Sequence, residues 1–423
     1  MPVPLAAPLA VLLLTAPAAD APPESAAAPS VGWSTRHLTD TFYAEGGTAA
    51  DVDQDGHVDV IVGPMVYFGP DWTKHRQIHA GQPVSPTGYS EEFLTFAADL
   101  TDDGYPDVIS IGFPGKAALW HENPGKAGGN DEAHGRDWRN DGQWKTHLLT
   151  PVVDNESPGF ADVVGDETPE VIGQRDMMYG YFTAPEDPRR PWAFHPISQP
   201  KQGLQRYTHG LGVGDVDGDG RQDFLTKDGW LRQPENLEGD PLWEEHPHPF
   251  AGEAAQLYAF DVDGDGDNDV VASRHAHGYG LDWFEQTKGD AGQVEWTKHE
   301  IMGDDQNNAA ADADGEPVLF SQLHALAVAD MNGDGLTDLV TGKRFWAHGP
   351  KGDKDPGGDP VLYWFELTRP SGSAKSGEAK FVPHRIDANS GVGTQVHVAD
   401  VNGDGKPDVV VGNKRGAFVS VQP

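Results

Sequence analysis

Six nonapeptides in this chain could each surround a hard cation with oxygen. At positions one, three, five and nine they set Asp51, Asp53, Asp55 and Asp59; Asp99, Thr101, Asp103 and Asp107; Asp215, Asp217, Asp219 and Asp223. The other three set Asp261, Asp263, Asp265 and Asp269; Asp330, Asn332, Asp334 and Asp338; and Asp400, Asn402, Asp404 and Asp408. Oxygen donors at that spacing suit Ca²⁺, because Mg²⁺ takes fewer protein ligands and keeps its waters. Glycine at position six permits the sharp turn, and position seven offers its carbonyl. A seventh copy keeps Asp162, Asp166 and Glu170 but carries Val164 at position three and Glu167 in place of the glycine. Asp-Gly clusters also make ordinary turns, so a turn without a cation is the alternative for any one copy. Recurrence at equivalent places favours the cation.

A second set of residues could bind or transform an organic ligand. His209, His277, His324 and Tyr279 are candidates to move a proton and Arg344 to neutralise an anion. Arg175, Lys227, His275, Lys343, Trp346, Gln395, Lys414 and Arg415 are candidates to hold the ligand. His209, His324 and either His275 or His277 could instead converge as neutral imidazoles on a transition metal. Against both readings, the cations could pair with Glu45, Glu92, Glu156, Asp228 and Asp282 and only tie strands together.

The elements that must position these residues follow from the pattern around each Asp loop. Alternating small and apolar residues precede the loop, as in 324–329, and a β-branched run such as 408–411 follows it, so strands flank it. A third strand, usually aromatic, comes next (281–285, 362–366). A fourth pairs an aromatic with a histidine: Trp72 with His75, Trp144 with His147, Trp192 with His195, Trp243 with His246, Trp296 with His299, Phe381 with His384, and Trp33 with His37. The usual spacing of three puts each pair on opposite faces of its strand, which implies packing between neighbouring units. Four strands per unit, seven times over, predicts an all-β, seven-bladed β-propeller of four-stranded antiparallel blades. The chain stops after the third strand of its last unit, so the strand at 33–38 is expected to complete that blade and close the ring. Insertions at 122–143, 303–319 and 346–360 interrupt the repeat. Because the Asp loops all join first to second strands, they share one face; the second set of residues lies on the other.

The loops and the strands after them resemble the FG-GAP/VCBS repeat family, the calcium-loop propellers also seen in integrin α-subunit heads, over roughly residues 33–423. The resemblance implies the propeller fold and about six structural calcium ions. The Phe-Gly…Gly-Ala-Pro element of the family is not clearly present. The layout is also similar to propeller-type polysaccharide lyases and to the propeller part of aldos-2-ulose dehydratases, though the chain lacks the cupin-like domains of the latter.

Composition bounds the rest. With 30 basic against 67 acidic residues the net charge is −37, which argues against nucleic acid as a partner. There is no cysteine, so disulfide and thiolate chemistry are excluded. Residues 1–19 read as a signal peptide and 20–32, rich in Ala, Pro and Ser, as a linker, which places the propeller outside the cell or in a periplasm. No stretch is long and apolar enough to span a membrane. The expectation is therefore an exported calcium-binding propeller that holds an anionic or polyhydroxylated, carbohydrate-like ligand on the face away from its Asp loops, with a protein partner also open. The alternative is a carbon–oxygen lyase or dehydratase acting on a sugar through a His/Arg/Tyr site on that face.

Overall fold

The computed structural model describes residues 32–125, 143–289, 293–369 and 379–423. The expected signal peptide, nearly all of the linker and most of the 122–143 insertion lie outside these residues. The described chain is all-β, and within it no helix is long and apolar enough to cross a membrane.

Strands pair with their sequence neighbours into antiparallel sheets. Four four-stranded sheets cover 48–77, 211–247, 257–302 and 326–387. A seven-stranded sheet covers 94–196; its long strand Lys145–Ala161 pairs through its first half with Lys116–Glu122 and through its second with Glu170–Arg175. In the remaining four-stranded sheet, Val396–Ala399, Asp408–Asn413 and Gly416–Val421 are completed by the N-terminal strand Ser34–Thr39, which pairs with Gly416–Val421. The 303–319 insertion forms a two-stranded ribbon, Ala310–Ala311 with Pro317–Val318.

First strands of the four-stranded sheets, with the first strand and the long strand of the seven-stranded sheet, line one cavity of about 420 Å³, to which Thr48, Phe96, Phe160, Val213, Tyr258, Val328 and Val398 contribute. Second strands carry the core: Val60 to Val62, Val270 to Ala272 and Val409 to Val411 are all buried. Their β-branched side chains fit a pleated surface covered on both faces.

Both oxygens of the position-nine carboxylate brace its loop. Asp269 accepts the Val262 N–H at 2.9 Å and the Gln286 N–H at 2.7 Å; Asp223, Asp338 and Asp408 repeat the pattern. In three sheets the residue that donates to this carboxylate then reaches the neighbouring loop with its side-chain amide. Gln233 Nε2 donates to the Val163 carbonyl at 2.6 Å, Gln286 Nε2 to Val216 at 2.9 Å and Gln422 Nε2 to Met331 at 2.8 Å. Asn123 Nδ2 does the same to Val52 at 2.8 Å, and Arg369 Nε to Val262 at 2.8 Å. These donors satisfy carbonyls that would otherwise be buried bare, and they lock each sheet to the one before it.

The aromatic–His strands differ from expectation in one respect. Trp72, Trp144, Trp192 and Trp243 are buried, but the histidines stay within their own sheets, each facing an aromatic residue of the third strand. The ring centroids are 4.1 Å apart for Trp230–His246, 4.2 Å for Trp283–His299, 4.3 Å for Phe418–His37, 4.5 Å for Trp120–His147 and Trp364–His384, 5.0 Å for Tyr181–His195 and 5.5 Å for Tyr67–His75. Directly opposed residues of an antiparallel pair lie close enough for such contact, so the histidines cap the sheets rather than pack between them.

Candidate functional site

The site is built where four chain segments arrive from different sheets. Glu156 lies in the middle of the long strand Lys145–Ala161, held by its N–H to the Thr208 carbonyl at 2.9 Å. His209 and His324 stand just before the first strands Leu211–Gly214 and Leu326–Ala329. His277 comes from the loop between Asp269–Ser273 and Leu281–Lys288. Gln322, in the left-handed backbone region at φ 61°, ties two of these segments to each other and to the segment of Arg344. Its N–H donates to the Gly278 carbonyl at 2.6 Å, and its own carbonyl accepts the N–H of His324 and of Arg344, each at 2.9 Å.

The side chains converge through their outer nitrogens. His209 Nε2 lies 3.0 Å from His277 Nε2 and 3.3 Å from His324 Nε2, while Glu156 Oε2 is 3.4 Å from His209 Nε2 and 3.3 Å from His324 Nε2. One ligand atom from each of the four residues falls within 4.8 Å of every other. Zn–N and Zn–O bonds of about 2.0–2.2 Å around a shared ion put neighbouring donors roughly 3–3.4 Å apart, the spacing found here.

Electrostatics favour the same occupant. Burial, then the Arg344 charge, pushes His324 down to about 3, and burial with the neighbouring imidazoles depresses His277 further. Burial alone would raise Glu156, but hydrogen bonds from His209 and His324 outweigh it and hold the carboxyl below its ordinary range. Neutral imidazoles and an ionised carboxylate are the protonation states a divalent transition metal needs. The Nδ1 atoms of His277 and His324 are buried without a hydrogen-bond partner. Three imidazoles turned inward on one carboxylate bring several lone pairs together at their Nε2 atoms, a surplus that a cation held among them would satisfy.

A cavity of about 460 Å³ opens beside the cluster, lined by Tyr89, Phe113, Glu156, Tyr207, His209, Glu253, His277, Arg344 and His348. Tyr89, Phe113 and Tyr207 form a row of rings with centroids 5.4 and 5.7 Å apart, and Tyr89 and Tyr207 are exposed. Sequence reasoning singled out neither Glu156 as a ligand nor this aromatic row. Glu156 belongs to no repeat, and the three rings come from segments far apart in the chain.

The remaining candidates are placed elsewhere. Arg344 lines the cavity but is 1% exposed and donates to Glu45 Oε2 through Nη2 at 2.8 Å and Nε at 3.1 Å. Lys414 is buried, donating to the Trp346 carbonyl at 2.9 Å, and Lys343 is buried, donating to Ser321 Oγ at 2.6 Å. Gln395 bonds both ways with the Thr95 backbone, at 2.8 Å each. Lys227 pairs with Asp228 at 2.8 Å, and His275 sits 3.2 Å from Glu253. Arg175 lies over the Phe194 ring at 4.5 Å, Arg415 over Phe345 at 5.3 Å, and Trp346 stacks on Phe345 at 4.6 Å. Tyr279 is not among the described residues that line the cavity. The expected open cationic surface is thus largely neutralised by internal partners; Lys343, Lys414 and Gln395 in particular are buried ties between chain segments.

In the Asp loops, carboxylates of positions one, three and nine (Asp51, Asp53, Asp59; Asp215, Asp217, Asp223) or one, three and five (Asp261, Asp263, Asp265) come together. Burial raises the position-nine groups, Asp59 to about 8 and Asp107, Asp223 and Asp269 to about 7. The 215–223 loop differs: Arg232 reaches Asp217 Oδ2 at 2.5 Å and Asp219 Oδ2 at 3.0 Å.

Residues 323–357 and 392–421 match the FG-GAP repeat family model. Among solved structures, the V. cholerae biofilm matrix protein Bap1 is similar at 15% identity and TM-score 0.32, over 77% of this chain and 38% of that one, so this chain spans well under half its length. BBS1N, solved in complex with ARL6DN and soaked with lead, is similar at 10% identity and TM-score 0.48, over 94% of this chain and 98% of that one. No curated protein matches the chain.

Proposed function

Because the chain carries FG-GAP repeats, we propose that it is an exported, seven-bladed β-propeller whose Asp loops hold structural calcium and whose opposite mouth is a transition-metal centre of an enzyme. Counting the seven-stranded sheet as two blades that share the strand Lys145–Ala161 gives seven blades. The single cavity lined by first strands of every sheet supports a closed ring.

The observation that carries the enzyme reading is the meeting of Glu156, His209, His277 and His324 at the floor of a cavity. Imidazole with a carboxylate suits a first-row metal such as zinc or iron rather than calcium. Once bound, such an ion polarises a substrate oxygen or a bound water. The substrate that fits is a polyhydroxylated ring, offering oxygens to the cluster and its C–H face to Tyr89, Phe113 and Tyr207. With Arg344 and Lys414 already committed to Glu45 and backbone carbonyls, a carboxylate or carbonyl of the ring would be met by the ion rather than by these cations.

The reaction class is elimination beside a carbonyl or carboxylate of the ring, whose oxygen a bound ion would polarise so that the neighbouring C–H is acidic. The C–H proton passes to a base, the C–O bond breaks, and the departing oxygen takes up a proton. His348 is the base: its Nδ1 is committed to Asp353 at 2.7 Å, leaving Nε2 to accept. Tyr207, on the same cavity, is the hydroxyl donor to the departing oxygen. A binding module without chemistry is the second reading, favoured only by the exposed rings.

The test is metal analysis of protein purified without chelator, followed by screening of the loaded protein against neutral and uronic glycans for the ultraviolet absorbance of a new conjugated double bond. One transition-metal ion per chain, lost in His209→Ala/His324→Ala, is the expected result. Calcium alone would overturn the metal centre; bound metal with no product on any sugar would leave a metal-bearing binding module and sink the lyase.

A further inference from the structure

The 346–360 insertion, which the repeat does not require, is folded against the metal cluster. Its Lys354 N–H donates to the His277 carbonyl at 3.3 Å, and the Lys354 carbonyl accepts Ser321 Oγ at 2.8 Å and Gln322 Nε2 at 3.1 Å. Asp353 adopts a left-handed backbone conformation, φ 56°, between these anchors. A non-glycine residue holds that conformation only where its surroundings enforce it.

The consequence is the placement of one carboxylate. Asp353 Oδ2 accepts the His348 backbone N–H at 2.9 Å and Oδ1 accepts His348 Nδ1–H at 2.7 Å. The same Oδ1 lies 3.6 Å from His277 Nδ1, an atom buried with no hydrogen-bond partner. His277 therefore has its Nε2 turned to His209 and its Nδ1 turned to an oriented, buried carboxylate.

Metal-bound histidines usually donate their second ring N–H to a carboxylate, which fixes the tautomer and makes the ligating nitrogen a better donor. We propose that Asp353 is the positioning residue of the metal centre, taking the Nδ1–H of His277 so that Nε2 is presented bare to the ion, and that the 346–360 insertion exists to deliver it. The inference rests on the transition-metal reading above. Asp353 touches no substrate; it acts through His277. The remaining arrangement of the same atoms, in which His277 Nδ1, His348 and Asp353 hold a second ion of their own, is the rival that the experiment separates.

The experiment is titration of the full chain with Co²⁺, in saturating calcium, followed by its visible absorption and by competition with a chelator, for wild type, D353N, D353A and H348N. Wild type is expected to bind one ion. D353A should bind it roughly 10–100-fold more weakly, and D353N, which keeps an acceptor oxygen, should fall between. H348N, which removes one of the two donors that orient Asp353, should weaken binding less than D353A does, and all four should share a melting temperature without cobalt. A side-chain histidine spectrum of the cobalt-free protein should show the His277 proton on Nδ1, moved in D353A.

Equal affinities across the series overturn the proposal, as does a second ion in wild type that D353N and H348N both abolish, since that makes Asp353 a ligand. A wild type that binds no transition metal removes the underlying reading as well, and is seen before any variant is compared. Should D353A unfold, D353N carries the comparison.

Discussion

The two ends of the sheets are built by opposite logics. At one end an Asp loop recurs in every four-stranded group, each closing on itself through its own backbone, as when Asp400 accepts the N–H groups of Gly403, Asp404 and Gly405. At the other end almost nothing recurs. His209 and His324 share one place, two residues before a first strand, whereas Glu156 lies within a long strand and His277 in a loop, and the four side chains meet only because their sheets do. The difference teaches that a repeat scaffold spends its repetition on stability and its departures from repetition on the site.

The largest effect should come from the repeating end. If the loops hold calcium with the ~10⁻⁴–10⁻³ M affinity of extracellular modules, about 1 mM calcium stabilises each by roughly 0.4–1.4 kcal/mol, and six together by roughly 2–9 kcal/mol. Chelation should therefore lower the melting temperature by many degrees, measured by calorimetry with and without added calcium. The 215–223 loop, whose Asp217 and Asp219 already meet Arg232, should lose least when its aspartates are changed to Asn. A melt insensitive to chelator would erase the contrast between the two ends and leave the loops as turns.

A smaller effect isolates a carboxylate at the non-repeating end that no cation serves. Glu92 is pushed up to about 8 by burial, against the lowering hydrogen bond from Ser110. The folded state thus holds its proton more tightly than the unfolded chain, where the group has its ordinary value near 4.5. Stability from this group is present below pH 4.5 and is lost as pH rises toward 8. Nearby His79 is pushed down to about 4 by burial, so its contribution is lost in the opposite direction, as pH falls from 6.5 to about 4. Glu92→Gln should remove only the first loss. It should raise stability at pH 8 by on the order of 2 kcal/mol relative to wild type and leave it unchanged at pH 4.5, as read by urea melts at the two values. An unchanged slope between them would mean that Glu92 stays ionised in the fold.

How much of this the sequence disclosed follows the same division. The Asp loops, the strands around them and the pairing of the N-terminal strand with Gly416–Val421 were readable because each rests on a local pattern repeated along the chain. His209, His277 and His324 were readable as types, since titratable residues among glycines on one face invite suspicion, but their convergence depends on which sheets meet across the mouth. Glu156 stayed hidden as a ligand because it sits mid-strand in a unit whose Asp loop is degraded. The inter-sheet reach of Gln233, Gln286 and Gln422 went unseen although a glutamine recurs near the end of the third strand in three sheets; that recurrence was the available signal. Lys343 and Lys414 misled because sequence gives their charge but not their burial.

The finest distinction between the two logics is between histidines. His246 belongs to the repeating kind: its ring stacks on Trp230 at 4.1 Å with 10° between planes, it is partly exposed, and five other strand histidines stack in the same way. Such a cross-strand contact contributes about 0.2–1 kcal/mol, so His246→Ala should shift the urea midpoint by that modest amount and leave metal content untouched. His324 is of the other kind, fully buried and without a stacked aromatic partner of its own sheet. A His246→Ala variant that lost transition metal, or one that failed to fold, would show that the stacked histidines do more than close the outer edge of a sheet, and the line drawn between repeated and unrepeated residues would have to move.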